Sequence, residues 1–174
     1  VCKFVVAGTG SRSLQSSDLK VKQAVCEQIR LNLLDLYAKW GSDLIVMSGM
    51  AEGFDKALAV VAMQMRLPLW CAIPNKGYSR YYWGKKSLTG KDQCYEFDAI
   101  LHYAMHITYV MEDIHNTDSL YLNGLHSNFV RNNYMVEQAE YFLVYNPESA
   151  GTRQCLSQIK KANKPYKILE VPNA

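Results

Sequence analysis

The sequence predicts an α/β protein, a three-layer sandwich around a mostly parallel central sheet of about six strands. Short apolar, β-branched runs alternate with helical patterns along the chain, the rhythm of parallel strands joined by crossover helices. Three of those runs stop abruptly in turns of small residues, at 8–13, 48–55 and 146–152. At 174 residues the chain is long enough for one full core, and without internal repeats, linkers or low-complexity tracts it is read as a single domain, 1–174.

Lys3–Ala7 is the first strand, and Gly8 and Gly10 end it. Ser16-Ser17-Asp18 supplies helix-start chemistry. Val21, Ala24, Val25, Gln28, Ile29, Leu33, Leu36 and Tyr37 then repeat at the helical period, which predicts one buried face, with Gly41 as the stop. Asp43–Met47 is too continuously apolar to be half exposed, so both faces of its sheet are expected to be covered. A helix over Ala57–Met65 and a strand over Leu67–Pro74 follow. Residues 75–98 break the rhythm; from Asp92 to Ala104 a helical pattern resumes, and His106–Val110 reads as a strand. Residues 111–127 read as polar and irregular, with turn signals at Asn116-Thr117-Asp118 and Asn123-Gly124. A helix over Phe129–Glu140, a strand over Tyr141–Tyr145, a helix over Arg153–Asn163 and a closing strand over Tyr166–Val171 complete the reading.

Composition narrows the function classes. A net charge of +3 gives no argument for nucleic acid, and no apolar run is long enough to span a membrane. Five scattered cysteines without a C-x-x-C pair suit reduced thiols and predict a cytoplasmic protein rather than a disulfide framework or zinc site. His102 and His106 are four apart, but the helix is expected to end between them; Glu112, Asp113 and His115 form only a polar loop, so no metal is predicted. In residues 75–98, Lys76, Arg80, Lys85, Lys86 and Lys91 alternate with Tyr78, Tyr81, Tyr82, Trp83, Tyr95 and Phe97. That mixture suits a surface loop packed on the core, a lid or a subunit contact, and less well a single-stranded nucleic-acid site.

The three turns carry the candidate chemistry. In an open parallel sheet they gather at the carboxyl edge of the strands, where ligands bind at the switch in strand order. A helix starting in such a turn points backbone N–H groups and a partly positive end at an anion. The first turn offers Gly8, Thr9, Gly10, Ser11 and Arg12, the arginine being a planar donor for phosphate. The second offers Ser48, Gly49, Met50, Gly53 and Asp55; Asp55 either accepts backbone N–H bonds or meets ribose hydroxyls. Glu52 is read as an exposed loop acid, the better candidate of the two for solvent-side chemistry. The third offers Asn146, Gly151 and Thr152, the threonine as cap and phosphate ligand together. No turn ends in Gly-Lys-Ser/Thr, so none is a Walker A loop, and Ser13 stands where a dinucleotide fingerprint has its third glycine.

These turns resemble those of the DprA/LOG-like Rossmann superfamily, often called SLOG: Gly8-Thr9-Gly10-Ser11-Arg12 and Ser48-Gly49-Met50-Ala51-Glu52-Gly53-Phe54-Asp55. Ile73-Pro74-Asn75-Lys76-Gly77, Trp83, the run Arg131-Asn132-Asn133-Tyr134-Met135-Val136-Glu137-Gln138-Ala139-Glu140 and Gly151-Thr152 are similar to its YpsA-type branch. The resemblance implies a Rossmann-like fold that binds nucleotides or their derivatives, sometimes as a sensor, and it favours Asn132 as a contact. The expected ligand is a small nucleotide of ADP-ribose, NAD or nucleoside-phosphate type; a homo-oligomer is expected, and neither a nucleic-acid nor a membrane partner. Phosphoribohydrolases of the superfamily carry Gly-Gly-x-Gly-Thr-x-x-Glu with a catalytic glutamate, whereas here Cys155 takes that position. An enzyme acting at an N-glycosidic bond would need another carboxylate, with Glu52, Asp55 and Glu137 as the choices, and the catalytic residues stay unknown.

Overall fold

The apolar runs pair side by side because strands buried on both faces must satisfy their backbone groups with one another. In the computed structural model, which describes residues 2–78, 91–111, 121–122 and 125–171, they form β1 (Phe4–Gly10), β2 (Leu44–Ser48), β3 (Leu69–Ile73), β4 (His106–Tyr109), β7 (Tyr141–Tyr145) and β8 (Tyr166–Ile168). The sheet order is β4-β3-β2-β1-β7-β8, and every pair is parallel. Two short strands, β5 (Tyr121–Leu122) and β6 (Leu125–His126), pair antiparallel by themselves.

The two-residue period of the strands divides the core. Val6, Leu44, Val46 and Leu143 face one side, with Val25, Ile29 and Leu33 of α1 (Leu19–Trp40), Phe54 and Leu58 of α2 (Phe54–Gln64), and Phe97 and Ile100 of α3 (Lys91–Tyr103). Their neighbours Val5, Ala7, Ile45, Met47, Phe142 and Val144 face the other, with Met135 and Val136 of α4 (Ser127–Gln138) and Cys155, Leu156 and Ile159 of α5 (Ala150–Lys161). The three-layer sandwich expected from the sequence is present. Fully burying one side chain such as Phe54 contributes about 1.5–3 kcal/mol.

Local chemistry sets the ends of α1. Asp18 accepts from the Val21 N–H at 2.9 Å, and Gly41 leaves the helix at φ 54°. Tyr37, placed on the buried face by periodicity, is 49% exposed. Asn32 is buried instead, its amide satisfied by the Gln28 carbonyl at 2.7 Å.

Three helices begin earlier than the sequence suggested: α2 at Phe54, α4 at Ser127 and α5 at Ala150. Small residues and local side-chain bonds let the chain enter each helix with almost no loop, which brings first-turn N–H groups to the sheet edge. The stretch expected to be irregular contains the β5–β6 pairing immediately before α4. The last strand stops at Ile168, and all three residues of β8 are exposed on an outer edge.

In the basic and aromatic segment, Tyr78 and Phe97 pack into the core with ring centroids 6.3 Å apart, whereas Tyr95 is exposed. Lys76 lies 5.8 Å from the Tyr109 ring. Arg80, Tyr81, Tyr82, Trp83, Lys85 and Lys86 lie outside the described residues, as do Glu112, Asp113, His115 and the turn signals at 116–118 and 123–124. His102 ends up on α3 and His106 on β4, and no metal-competent cluster occurs among the described residues. No described helix is long and apolar enough to cross a membrane.

Candidate functional site

From β1 the chain builds the sheet outward to β4, then returns to place β7 on the opposite flank of β1. The crossovers therefore diverge between β1 and β7, whose ends meet where Gly10 pairs with Tyr145. A cavity of about 470 Å³ opens at that carboxyl edge, within the usual range for small-molecule sites. Its walls are Thr9–Ser13 at the end of β1 and just beyond, Ala51 and Asp55 around the start of α2, His126, Asn128, Phe129, Arg131 and Asn132 around the start of α4, and Ser149–Thr152 at the start of α5.

The turns hold one another. Ser48 Oγ donates to the Asp55 carbonyl at 2.8 Å and accepts from the Met50 N–H at 3.2 Å, which folds the β2–α2 turn on itself. The Phe54 N–H donates to the Ser11 carbonyl at 3.2 Å and ties that turn to the first. At Gly53 (φ 90°) a Cβ would stand 2.6 Å from the Ser11 carbonyl and 2.8 Å from Arg12 Cα, so glycine is required by contact and conformation alike.

Behind the cavity lies a buried charge cluster. Arg131, 3% exposed, reaches back from α4 so that Nη1 donates to the Gly49 carbonyl and Nε to Asn132 Oδ1 at 3.0 Å. Asn132 Nδ2 donates to Gln154 Oε1 at 3.1 Å, and Gln154 Nε2 to Asn133 Oδ1 at 3.1 Å, so this polar ladder locks α4 to α5. Burial raises the Asp55 pKa above the ordinary carboxylate value, against the opposing pull of Arg131, the Ala51 N–H bond and Arg12. Burial also raises the Tyr78 phenol, again opposed by Arg131 and Arg12. The His126 pKa is lowered by partial burial and then by Arg12. Two guanidinium groups are thus felt around one carboxyl group.

Of the residues expected at a ligand, Thr9, Gly10, Ser11, Arg12, Asp55, Asn132, Gly151 and Thr152 share the cavity wall. The others stand behind it. Gly8 packs against Leu58 and Phe54; Ser48 and Gly49 hold the second turn; Met50 is fully buried at φ 58°; Gly53 seats the first turn; Asn146 turns the chain out of β7 at φ 51°. Asn132 lines the wall while both ends of its amide hold neighbouring side chains. Asp55 accepts from the Ala51 N–H at 3.4 Å, the turn-holding one of its two expected roles, and also lines the wall.

Three expectations change. Glu52 is 3% exposed rather than a solvent-side loop acid. Glu137 is exposed and outside the cavity wall. Thr152 is not the cap of α5: Ser149 occupies that position and donates its hydroxyl to Thr152 Oγ1 at 2.7 Å. Cys155, at the superfamily's glutamate position, is 1% exposed, its pKa pushed up to about 12 by burial and only partly offset by Thr9 and Arg131. A neutral buried thiol supplies no carboxylate chemistry.

Sequence reasoning missed Ser13, Ala51, His126, Asn128, Phe129, Ser149 and Ala150 on the wall, and named Arg131 only within the run that resembles the YpsA-type branch. One signal for Arg131 was available: no acid stands three or four residues away on either side, where a surface helix arginine commonly finds its partner.

Fold and cavity together define a Rossmann-like α/β protein with its crevice at the topological switch point. No protein-family profile matches the sequence, and no curated protein matches it. Solved structures do. DNA processing protein A (DprA) from Streptococcus pneumoniae superposes with a TM-score of 0.61 over 99% of this chain and 51% of its own, at 16% identity. DprA from Helicobacter pylori, described for its single-stranded DNA binding mode, gives 0.62 over 97% of this chain and 66% of its own, at 16% identity. TM1055 gives 0.52 over 95% and 72%, at 14% identity. The chain shares the Rossmann-like fold of these proteins and spans about half the length of the first and just under two thirds of the second.

Proposed function

We propose that this chain binds a nucleotide or nucleotide derivative, of ADP-ribose, NAD or nucleoside-phosphate type, in the switch-point cavity, as a binding or sensing module of the YpsA-type branch of SLOG. One observation carries the reading: Arg12, Arg131 and the first turns of α4 and α5 converge on one cavity. Helix N-termini and guanidinium groups both favour an anion. Gly151 marks the phosphate seat. A Cβ there would meet nothing within 4 Å, so neighbouring protein atoms do not require glycine and the space is open to a ligand. The cysteine pattern suits a cytoplasmic protein, and assembly into a homo-oligomer is part of the same reading.

The test is calorimetric titration with nucleoside monophosphates, ADP-ribose and NAD, alongside native mass spectrometry for a retained nucleotide. Saturable binding by at least one of them is expected; none binding, and none retained, rejects the proposal.

Two second readings each have an observation in their favour. Asp55, a wall carboxyl with a raised pKa, is the group to test if the ligand is cleaved at its N-glycosidic bond. Released base or ribose phosphate, lost in Asp55→Asn, would support the enzyme. The likeness to a DprA described as binding single-stranded DNA favours a nucleic-acid ligand. Oligonucleotide binding through phosphates must weaken linearly in log–log terms as salt rises, and an affinity flat with salt rejects it.

A further inference from the structure

The ring of Phe129 is half-buried, and among the described residues it joins neither apolar core. It stands in the first turn of α4 and has no ring among the described residues against it, yet it lines the cavity. Among the described residues it is the one phenyl ring in that wall, beside the imidazole of His126. A large apolar face on a polar cavity gains by being covered, at about 25 cal/mol for each Å² removed from water.

What covers it follows from its neighbours. The phosphate seat at Ser149–Thr152 and the guanidinium groups of Arg12 and Arg131 fix one end of a ligand as anionic. Elsewhere in the wall, His126, Asn128 and Phe129 at the start of α4 set an apolar ring face among polar groups. That is the surface an aromatic heterocycle needs: a face for stacking and hydrogen-bonding groups at its rim. A sugar phosphate alone would leave Phe129 uncovered.

From this we infer that Phe129 is the stacking platform for the base, and that the cavity selects a base-bearing phosphate over a sugar phosphate of equal charge. The inference rests on the nucleotide reading above and adds a specificity residue to it. Stacking is tolerant of base identity, so Phe129 gives affinity for any nucleobase, and the choice among bases falls to the polar rim.

The experiment compares ribose 5-phosphate with the four nucleoside 5′-monophosphates on the wild-type chain, Phe129→Leu and Phe129→Trp. Phe129→Leu is expected to weaken the nucleotides about tenfold and leave ribose 5-phosphate unchanged, while Phe129→Trp keeps nucleotide affinity. In Phe129→Trp, nucleotide but not ribose 5-phosphate should quench the new indole, identified by subtracting the wild-type response. Equal losses for both ligands, or none for either, overturn the platform while leaving phosphate binding standing. Failure of the wild type to bind any of these probes overturns the platform, and failure of ADP-ribose and NAD as well overturns the nucleotide reading.

Discussion

Arg131 and Asp55 come together over Gly49. A Cβ placed on that glycine would stand 2.5 Å from Arg131 Nη1 and 3.0 Å from Asp55 Oδ2, so the pair occupies the volume of the missing side chain. Gly49→Ala must therefore push back a 3% exposed guanidinium and break its bond to the Gly49 carbonyl. Losing a hydrogen bond to a buried charge costs about 1.5–3 kcal/mol. Urea unfolding should show a drop of that size, and the nucleotide should bind more weakly because Arg131 anchors the start of α4. A fully stable Gly49→Ala would mean that Arg131 has room to move.

Gly151 predicts the opposite pairing of effects. Its Cβ position is open space against the cavity, and Gly151 lies in the first turn of α5. Gly151→Ala removes backbone freedom from the unfolded chain and meets no clash, so stability should rise, by up to about 1 kcal/mol. The same methyl would stand where the phosphate approaches, so affinity for a nucleoside monophosphate should fall at least tenfold. Thermal melts with and without ligand separate the two. A variant that is stabilised and still binds normally would move the phosphate away from α5.

The framework was legible because it is local. Alternating apolar runs gave six strands and their parallel arrangement, and small residues after them marked the turns, though three helices begin two or three residues earlier than the pattern placed them. Part of the wall could be read the same way, since Thr9–Arg12 and Gly151–Thr152 sit in turns whose chemistry shows in sequence. Phe129 could not be, and for Arg131 the missing acidic helix neighbour gave no position. Arg131 is buried by a carbonyl 82 positions earlier in the chain, and Phe129 fits the apolar face of α4 until the fold leaves it outside both cores. Glu52 failed for the same reason: a polar residue between glycines reads as surface until the turn is folded against α2. Gly8 and Met50 were misplaced by one layer, since a turn has a side that packs inward as well as one that faces the ligand.

Arg12 tests the anion itself. It stands at the first residue of the 3₁₀ turn after β1, on the cavity wall, and its charge is felt at Asp55, Tyr78 and His126. Arg12→Ala should weaken ligand binding roughly ten- to hundred-fold, the loss of one charge-assisted contact worth about 1.5–3 kcal/mol. Arg12→Lys should recover only part of this, because an ammonium cannot give the two parallel bonds of a guanidinium. Titration calorimetry of both variants decides, and unchanged affinity in Arg12→Ala would remove this residue from the site.

His126 makes the start of α4 sensitive to protons. Its Nδ1 accepts the Asn128 N–H at 3.1 Å as the N-cap of α4, which places the proton of the neutral ring on Nε2. Protonation puts a hydrogen on Nδ1 and removes that acceptor. The folded pKa is lowered from 6.5 by burial and by Arg12, so the fold favours the neutral ring. The sign follows from linkage: this contribution is full above the unfolded value near 6.5 and is lost as pH falls through the lower folded value. The wild-type chain should therefore lose stability across that window, whereas His126→Asn, which keeps an N-cap without titrating, should lack this part of the decline. Denaturant melts across that pH range, with NMR titration of the His126 ring, measure both. A His126 ring that titrates above 6.5, or two variants with the same pH profile, would show that the cap does not couple protons to α4.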